Sequence, residues 1–125
     1  MFEQLRRAFG DPSPESLIAA AKATLRSPNA PLQERAAAIE RLSVELDAES
    51  KGLVLSHAAD PLRHEWLQQT AGEAVAQMLQ SGTLRVEDVK SLSPVAAATV
   101  VSILGEVGSQ ETQALLVRIE AISQA

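Results

Sequence analysis

The chain has no cysteine and no tyrosine, and its aromatic residues are only Phe2, Phe9 and Trp66. Without cysteine there is no disulfide framework, no thiolate nucleophile and no cysteine-ligated zinc. The scarcity of aromatics removes the stacking groups on which single-stranded nucleic-acid binders rely. Long apolar runs are missing too. The longest uncharged stretch, Ser91 to Gly105, is shorter than a bilayer span and contains Ser, Pro and Thr. The opening "MFEQLRRAFGDPSPES" has no apolar core of the signal-peptide kind, so it is expected to be part of the fold. The expectation is a soluble, cytoplasmic protein with no membrane contact.

What is present is alanine, leucine and charge. The 125 residues are 46% hydrophobic and 22% charged, which suits one domain, residues 1–125, with a core of its own. Alanine is the best helix former and lets helix axes approach closely. The net charge of −5 is unevenly placed: residues 1–45 carry six basic and six acidic groups, residues 46–125 five against ten. Such a surface repels phosphate and speeds encounter with a basic partner.

Punctuation along the chain is helical. Ser13-Pro14, Asp60-Pro61 and Ser93-Pro94 each set proline just behind a polar cap, and Asn29-Ala30-Pro31 is a looser version. Asp47 and Ser109 read as caps without proline. Leu32, Ala36, Ile39, Leu42 and Leu46 make one apolar stripe. A longer stripe runs through Leu62, Trp66 or Leu67, Ala71, Ala74, Val75, Met78 and Leu79, and a last one through Leu115, Leu116, Ile119 and Ile122. The spacing predicts eight helices, at about 2–9, 14–26, 31–45, 47–58, 61–80, 86–91, 94–106 and 110–123. Short loops make neighbours antiparallel hairpins.

Three segments share a register: Ala38 to Ser43, Ala71 to Ala76 and Val100 to Gly105, at offsets of 33 and 29 residues. The stretch "VVSILGEVGSQETQALLVRI" (Val100 to Ile119) resembles a short HEAT-type repeat of the phycobilisome-lyase-like kind. "NAPLQERAAAIERLS" (Asn29 to Ser43) is similar to the first helix of such a repeat, with Arg35 at the arginine that often precedes its alanine pair. "LQQTAGEAVAQML" (Leu67 to Leu79) resembles a third, with Gln68 at that position; in the last repeat Ala97 stands there. "PESLIAAAKATLRSP" (Pro14 to Pro28) fits the second helix of a leading repeat. The resemblance implies an all-α fold, a short α-solenoid of about four stacked antiparallel helical hairpins.

Candidate chemistry is thin. His57 and His64 flank Asp60-Pro61 with no third ligand, and "HEWLQ" puts Gln68 where a zinc-protease helix needs a second histidine. Ordinary surface or half-buried histidines are expected, with no metal and no cofactor. Glu65, Gln69 and Glu73 form an i, i+4, i+8 row that reads as a solvated face and not as an acid–base pair. No serine sits in a nucleophile elbow. Gly105-Glu106-Val107-Gly108 is no phosphate cradle, because Glu106 and Glu111 flank it and no basic residue follows within eight positions. A glycine at 105 or 108 is expected to end the helix instead. Arg6, Arg7, Lys22 and Arg26 are too few for a nucleic-acid stripe. Gly72, inside a helix, costs about 1 kcal/mol against alanine and therefore marks a close contact with a neighbouring helix or partner.

With no catalytic set, a protein-binding module is expected and not an enzyme. Its partner surface would include the acidic residues Asp47, Glu49, Glu87, Asp88, Glu111 and Glu120. Trp66 is expected to cover the core stripe, or to be the anchor if it is exposed. "LQQTAGEAVAQML…LSPVAA" also resembles short bacterial HEAT-like proteins, some of which are immunity proteins for secreted toxins. That resemblance implies a monomer in a one-to-one complex with a basic toxin, often a nuclease, held by steric and electrostatic occlusion. The competing expectation is an adaptor or accessory subunit of a larger enzyme.

Overall fold

The computed structural model describes residues 13–107, 117–119 and 121. Among the described residues there is no strand; the five helices are α1 (Pro14–Arg26), α2 (Leu32–Leu42), α3 (Ala48–Ala59), α4 (Glu65–Gln80) and α5 (Pro94–Val107). A single 3₁₀ turn, Val86–Asp88, stands between α4 and α5, and residues 117–119 are helical as well. The predicted segment 2–9 and most of 110–123 lie outside the described residues.

Polar side chains start α1, α3 and α5 by satisfying first-turn N–H groups. Ser13 Oγ accepts from the Ser16 N–H at 3.1 Å, and Ser93 Oγ does the same for Ala96 at 3.2 Å. Asp47 Oδ2 takes the Ser50 N–H at 3.0 Å. The Ser93 N–H also donates to Ala58 O at 2.8 Å, which fastens the start of α5 to the end of α3.

Four boundaries differ from expectation. Helix α2 stops at Leu42, where the Ser43 hydroxyl donates to Glu40 O at 2.6 Å and the Glu45 N–H turns back to Leu42 O. Leu46 thereby leaves the stripe and is 72% exposed. Helix α4 opens at Glu65 and not at Pro61, because Asp60 Oδ1 accepts the Leu62 N–H at 2.9 Å and closes a local turn. His64 takes the capping role, its Nδ1 accepting from the Trp66 N–H at 3.1 Å, and Leu62 is left 92% exposed. The expected helix 86–91 is only the 3₁₀ turn, held by the Arg85 N–H on Asp88 Oδ2. The glycine stop is at Gly82 (φ +79°) behind α4. Gly105 lies inside α5, and Gly108 is outside the described residues.

Helix α4 is the middle of the core. It packs against α2, α3 and α5, while α1 lies on α2 and touches α3. Helix α2 meets α1 more extensively than it meets α3, its successor in the chain. Ile39, Leu42, Val54, Val75, Met78, Val100 and Leu104 are all fully buried. The three registered segments share their burial. Ala38, Ala71 and Val100 are buried, as are Leu42, Val75 and Leu104, whereas Glu40, Glu73 and Ser102 are all exposed. Gly72 sits at the α4–α5 crossing, where a Cβ would come within 2.8 Å of Ala96 O and 3.0 Å of Thr99 Cβ. The close contact expected of this glycine is therefore with a neighbouring helix. No described helix is long and apolar enough to cross a membrane.

Candidate protein-binding face

The carboxylates singled out by sequence are largely occupied within the chain. Lys22 Nζ lies 2.9 Å from Asp47 Oδ2 and 3.3 Å from Glu49 Oε2, and Arg26 also pairs with Glu49. The Lys22 hydrogen bond, then the hydroxyl and N–H of Ser50, hold the Asp47 carboxyl well below the usual carboxylate range. Glu87 pairs with Arg118, and its pKa is lowered by its own backbone N–H and then by that arginine. Asp88 caps the 3₁₀ turn. Glu49 borders one groove, with Lys22 and Arg26; Glu87 borders another, with Lys90 and Arg118. Glu111 and Glu120 lie outside the described residues. Trp66 is 42% exposed and is not the buried cover of the stripe.

A different acidic face emerges from the outward sides of α2, α4 and α5. Helical spacing lines up Trp66, Thr70, Glu73 and Gln77 along α4. On one side of this row, a groove of about 490 Å³ between α4 and α5 is lined by Glu65, Gln69, Glu73, Val95, Thr99 and Ile103, among others. On the other side, a groove of about 350 Å³ between α2 and α4 is lined by Glu40, Ser43, Val44, Thr70, Glu73 and Gln77, among others. Glu73 is the ridge common to both. Among the described residues no cation pairs with Glu40, Glu65 or Glu73, whereas Asp47, Glu49, Asp60 and Glu87 each meet a lysine or arginine.

Sequence reasoning passed over Glu40 and took the Glu65–Glu73 row as solvated surface. The signal was there: no lysine or arginine occurs between Arg63 and Arg85, and none in α5. What the sequence could not show is that α2 and α5 flank α4 and turn a row into two grooves.

Where α2 meets α3 and the end of α1, Arg35 and His57 form a buried clasp. Arg35, at 5% exposure, donates from Nε to Ala30 O at 3.1 Å, from Nη1 to Leu25 O at 3.5 Å, and from Nη2 to Ser27 O. Gln68, in the same register position on α4, donates to Arg63 O at 2.7 Å and Pro61 O at 3.3 Å. At this register position both side chains tie the loop before their helix to it. His57, expected at or near the surface, is 2% exposed. Its Nδ1–H donates to Leu53 O at 2.9 Å, which leaves Nε2 as acceptor facing Arg35 Nη1 at 3.4 Å.

Burial lowers the His57 pKa below 6.5, with the Arg63 and Arg35 charges adding to it and the Leu53 carbonyl and Asp60 opposing. The unfolded chain therefore binds the proton more readily than the folded one, so stability falls as pH drops below about 6.5. Urea midpoints measured from neutral pH to pH 5 are expected to decline, and the decline is expected to vanish in His57→Gln. Parallel curves for the two proteins would remove His57 as the cause.

Among the described residues no group of three His, Asp or Glu side chains is placed to hold a metal ion. In comparisons with known proteins, no family model, no curated protein and no solved structure matches the chain.

Proposed function

We propose that the chain is a protein-binding module, a short HEAT-like stack of helical hairpins whose α2/α4/α5 face docks a basic protein. The observation that carries this reading is the contrast in charge pairing. Asp47, Glu49 and Glu87 each meet a lysine or arginine, while Glu40, Glu65 and Glu73 line grooves with no described basic residue in their lining. Apolar atoms of Val95, Ile103 and Val44 lie next to those carboxylates. Such a surface offers anchors as well as a steering field. The role in which it fits best is that of an immunity protein occluding a basic toxin, with the carboxylates standing where a phosphate path would run.

The test is capture from cells of the native organism with the immobilised chain, with Glu65→Lys/Glu73→Lys, and with Glu49→Gln. A basic protein is expected on the first and third columns, lost from the double variant and released from the others by about 0.5 M salt. Equal retention by all three would remove this face from the model. Retention of a large enzyme assembly with no basic toxin would move the reading to an adaptor subunit.

A further inference from the structure

We infer that protonation of His57 releases α1 and the 27–31 loop from α2 and α3, so that this end of the fold opens in acid while α4 and α5 stay packed. The geometry is that of a buried cation without a carboxylate. Arg35 enters none of the ion pairs among the described residues. Its guanidinium is held by the Leu25, Ser27 and Ala30 carbonyls, at and just beyond the negative end of the α1 dipole, and by the Nε2 lone pair of His57. Because Nδ1 already carries the hydrogen given to Leu53 O, an added proton goes to Nε2. That removes the acceptor and sets an imidazolium against a guanidinium, both donor-only, where His57 is 2% and Arg35 5% exposed. A proton taken up whenever the clasp opens therefore keeps it open.

The other groups around His57 leave that second charge uncompensated. Asp60, in the turn before α4, favours it, but Arg63 in the same turn opposes it together with Arg35, and Asp60 already pairs with Arg63 at 3.2 Å. Ser56 Oγ, 3.4 Å from Nδ1, is neutral. Glu34, Glu40 and Arg41 of α2 are exposed, Glu65 and Glu73 of α4 line the α4–α5 groove, and α5 has no charged residue before Glu106. Helix α1 is the element that yields, because only Ala21 and Leu25 on it are buried, against ten residues of α4. Its remaining described ties are the pairs of Lys22 and Arg26 with Asp47 and Glu49, and part-exposed pairs of this kind stabilise little. Asp47, its carboxyl held well below the usual range, keeps its charge where His57 titrates.

Hydrogen exchange of the full chain at about pH 7.5 and about pH 5, corrected for intrinsic rates, reads the opening residue by residue. At about pH 5 an accessible imidazole of ordinary pKa is protonated about thirty times more often than neutral. Protection of the α1 and 27–31 amides is therefore expected to fall by up to about thirtyfold, while that of the α4 amides holds. In His57→Gln, which keeps a neutral side chain there, the fall is expected to disappear. Glu49→Gln, which removes α1–α3 ion pairs and leaves the clasp, is expected to keep it. An equal fall in α1 and α4, a fall that persists in His57→Gln, or one abolished by Glu49→Gln would each overturn the latch. If His57→Gln does not fold, the contrast between α1 and α4 in the native chain and in Glu49→Gln decides alone.

Discussion

Gly72→Ala is expected to destabilise the chain by about 1–2 kcal/mol, although alanine is the better helix former. In an open helix the exchange would gain about 1 kcal/mol. Here the new Cβ would lie 2.8 Å from Ala96 O and 3.1 Å from Ala96 Cα, both backbone atoms of α5 that cannot rotate away. Relieving that overlap means moving α5 off α4, and overpacking of this kind costs roughly 1–3 kcal/mol. The loss is expected to exceed the gain. Gly52 supplies the control: it lies in α3 with nothing within 4 Å of a built Cβ. Gly52→Ala is expected to stabilise by up to about 1 kcal/mol. Urea unfolding of both variants measures the difference, and a stabilised Gly72→Ala would contradict the α4–α5 approach drawn above.

Arg35→Met is expected to cost about 3 kcal/mol or more while keeping most of the buried volume. Arg35 holds three carbonyls, of Leu25, Ser27 and Ala30, that close α1 onto α2, and its fourth neighbour is His57 Nε2. Removing the guanidinium leaves these acceptors to water or to nothing, at roughly 1–3 kcal/mol for each that stays buried. The burial that makes the clasp strong also lowers the pKa of Arg35, with the Arg63 charge second. Arg35→Gln is expected to recover part of the loss, since Gln68 already makes the equivalent bond from helix to preceding loop. Hydrogen exchange read at residues 25–31 should rise in Arg35→Met before it rises in α4. A change below about 1 kcal/mol would mean the loop is held by other contacts.

Much of this architecture could be read from the chain as written. The caps at Ser13, Asp47 and Ser93 are local hydrogen-bond chemistry, and sequence patterning placed them correctly. The register at offsets 33 and 29 reappears as shared burial of Ala38, Ala71 and Val100. Errors gathered where two local signals competed. At 60–65, Asp60 closed its own turn and left His64 to cap α4. After Leu42, the Ser43 hydroxyl ended α2 before Leu46 could join the stripe. In each case a polar side chain satisfied a nearby backbone group more cheaply than another helical turn would.

Which carboxylates already have partners was harder to read, and the reason is electrostatic. Counting carboxylates selected Asp47, Glu49, Glu87 and Asp88, but a count cannot say which of them already has a partner. Lys22 comes from α1 and Arg118 lies beyond α5, each far along the chain from the carboxylates it meets. Only folding brings those cations to α3 and to the 3₁₀ turn, and leaves Glu40, Glu65 and Glu73 in grooves with no described basic residue in their lining. The sequence by itself therefore determined where most of the helices lie and the caps at Ser13, Asp47 and Ser93, because these depend on neighbours within four residues. The tertiary structure alone decided which charges are spent and where grooves open, because charge pairing acts across space between elements that the sequence keeps apart.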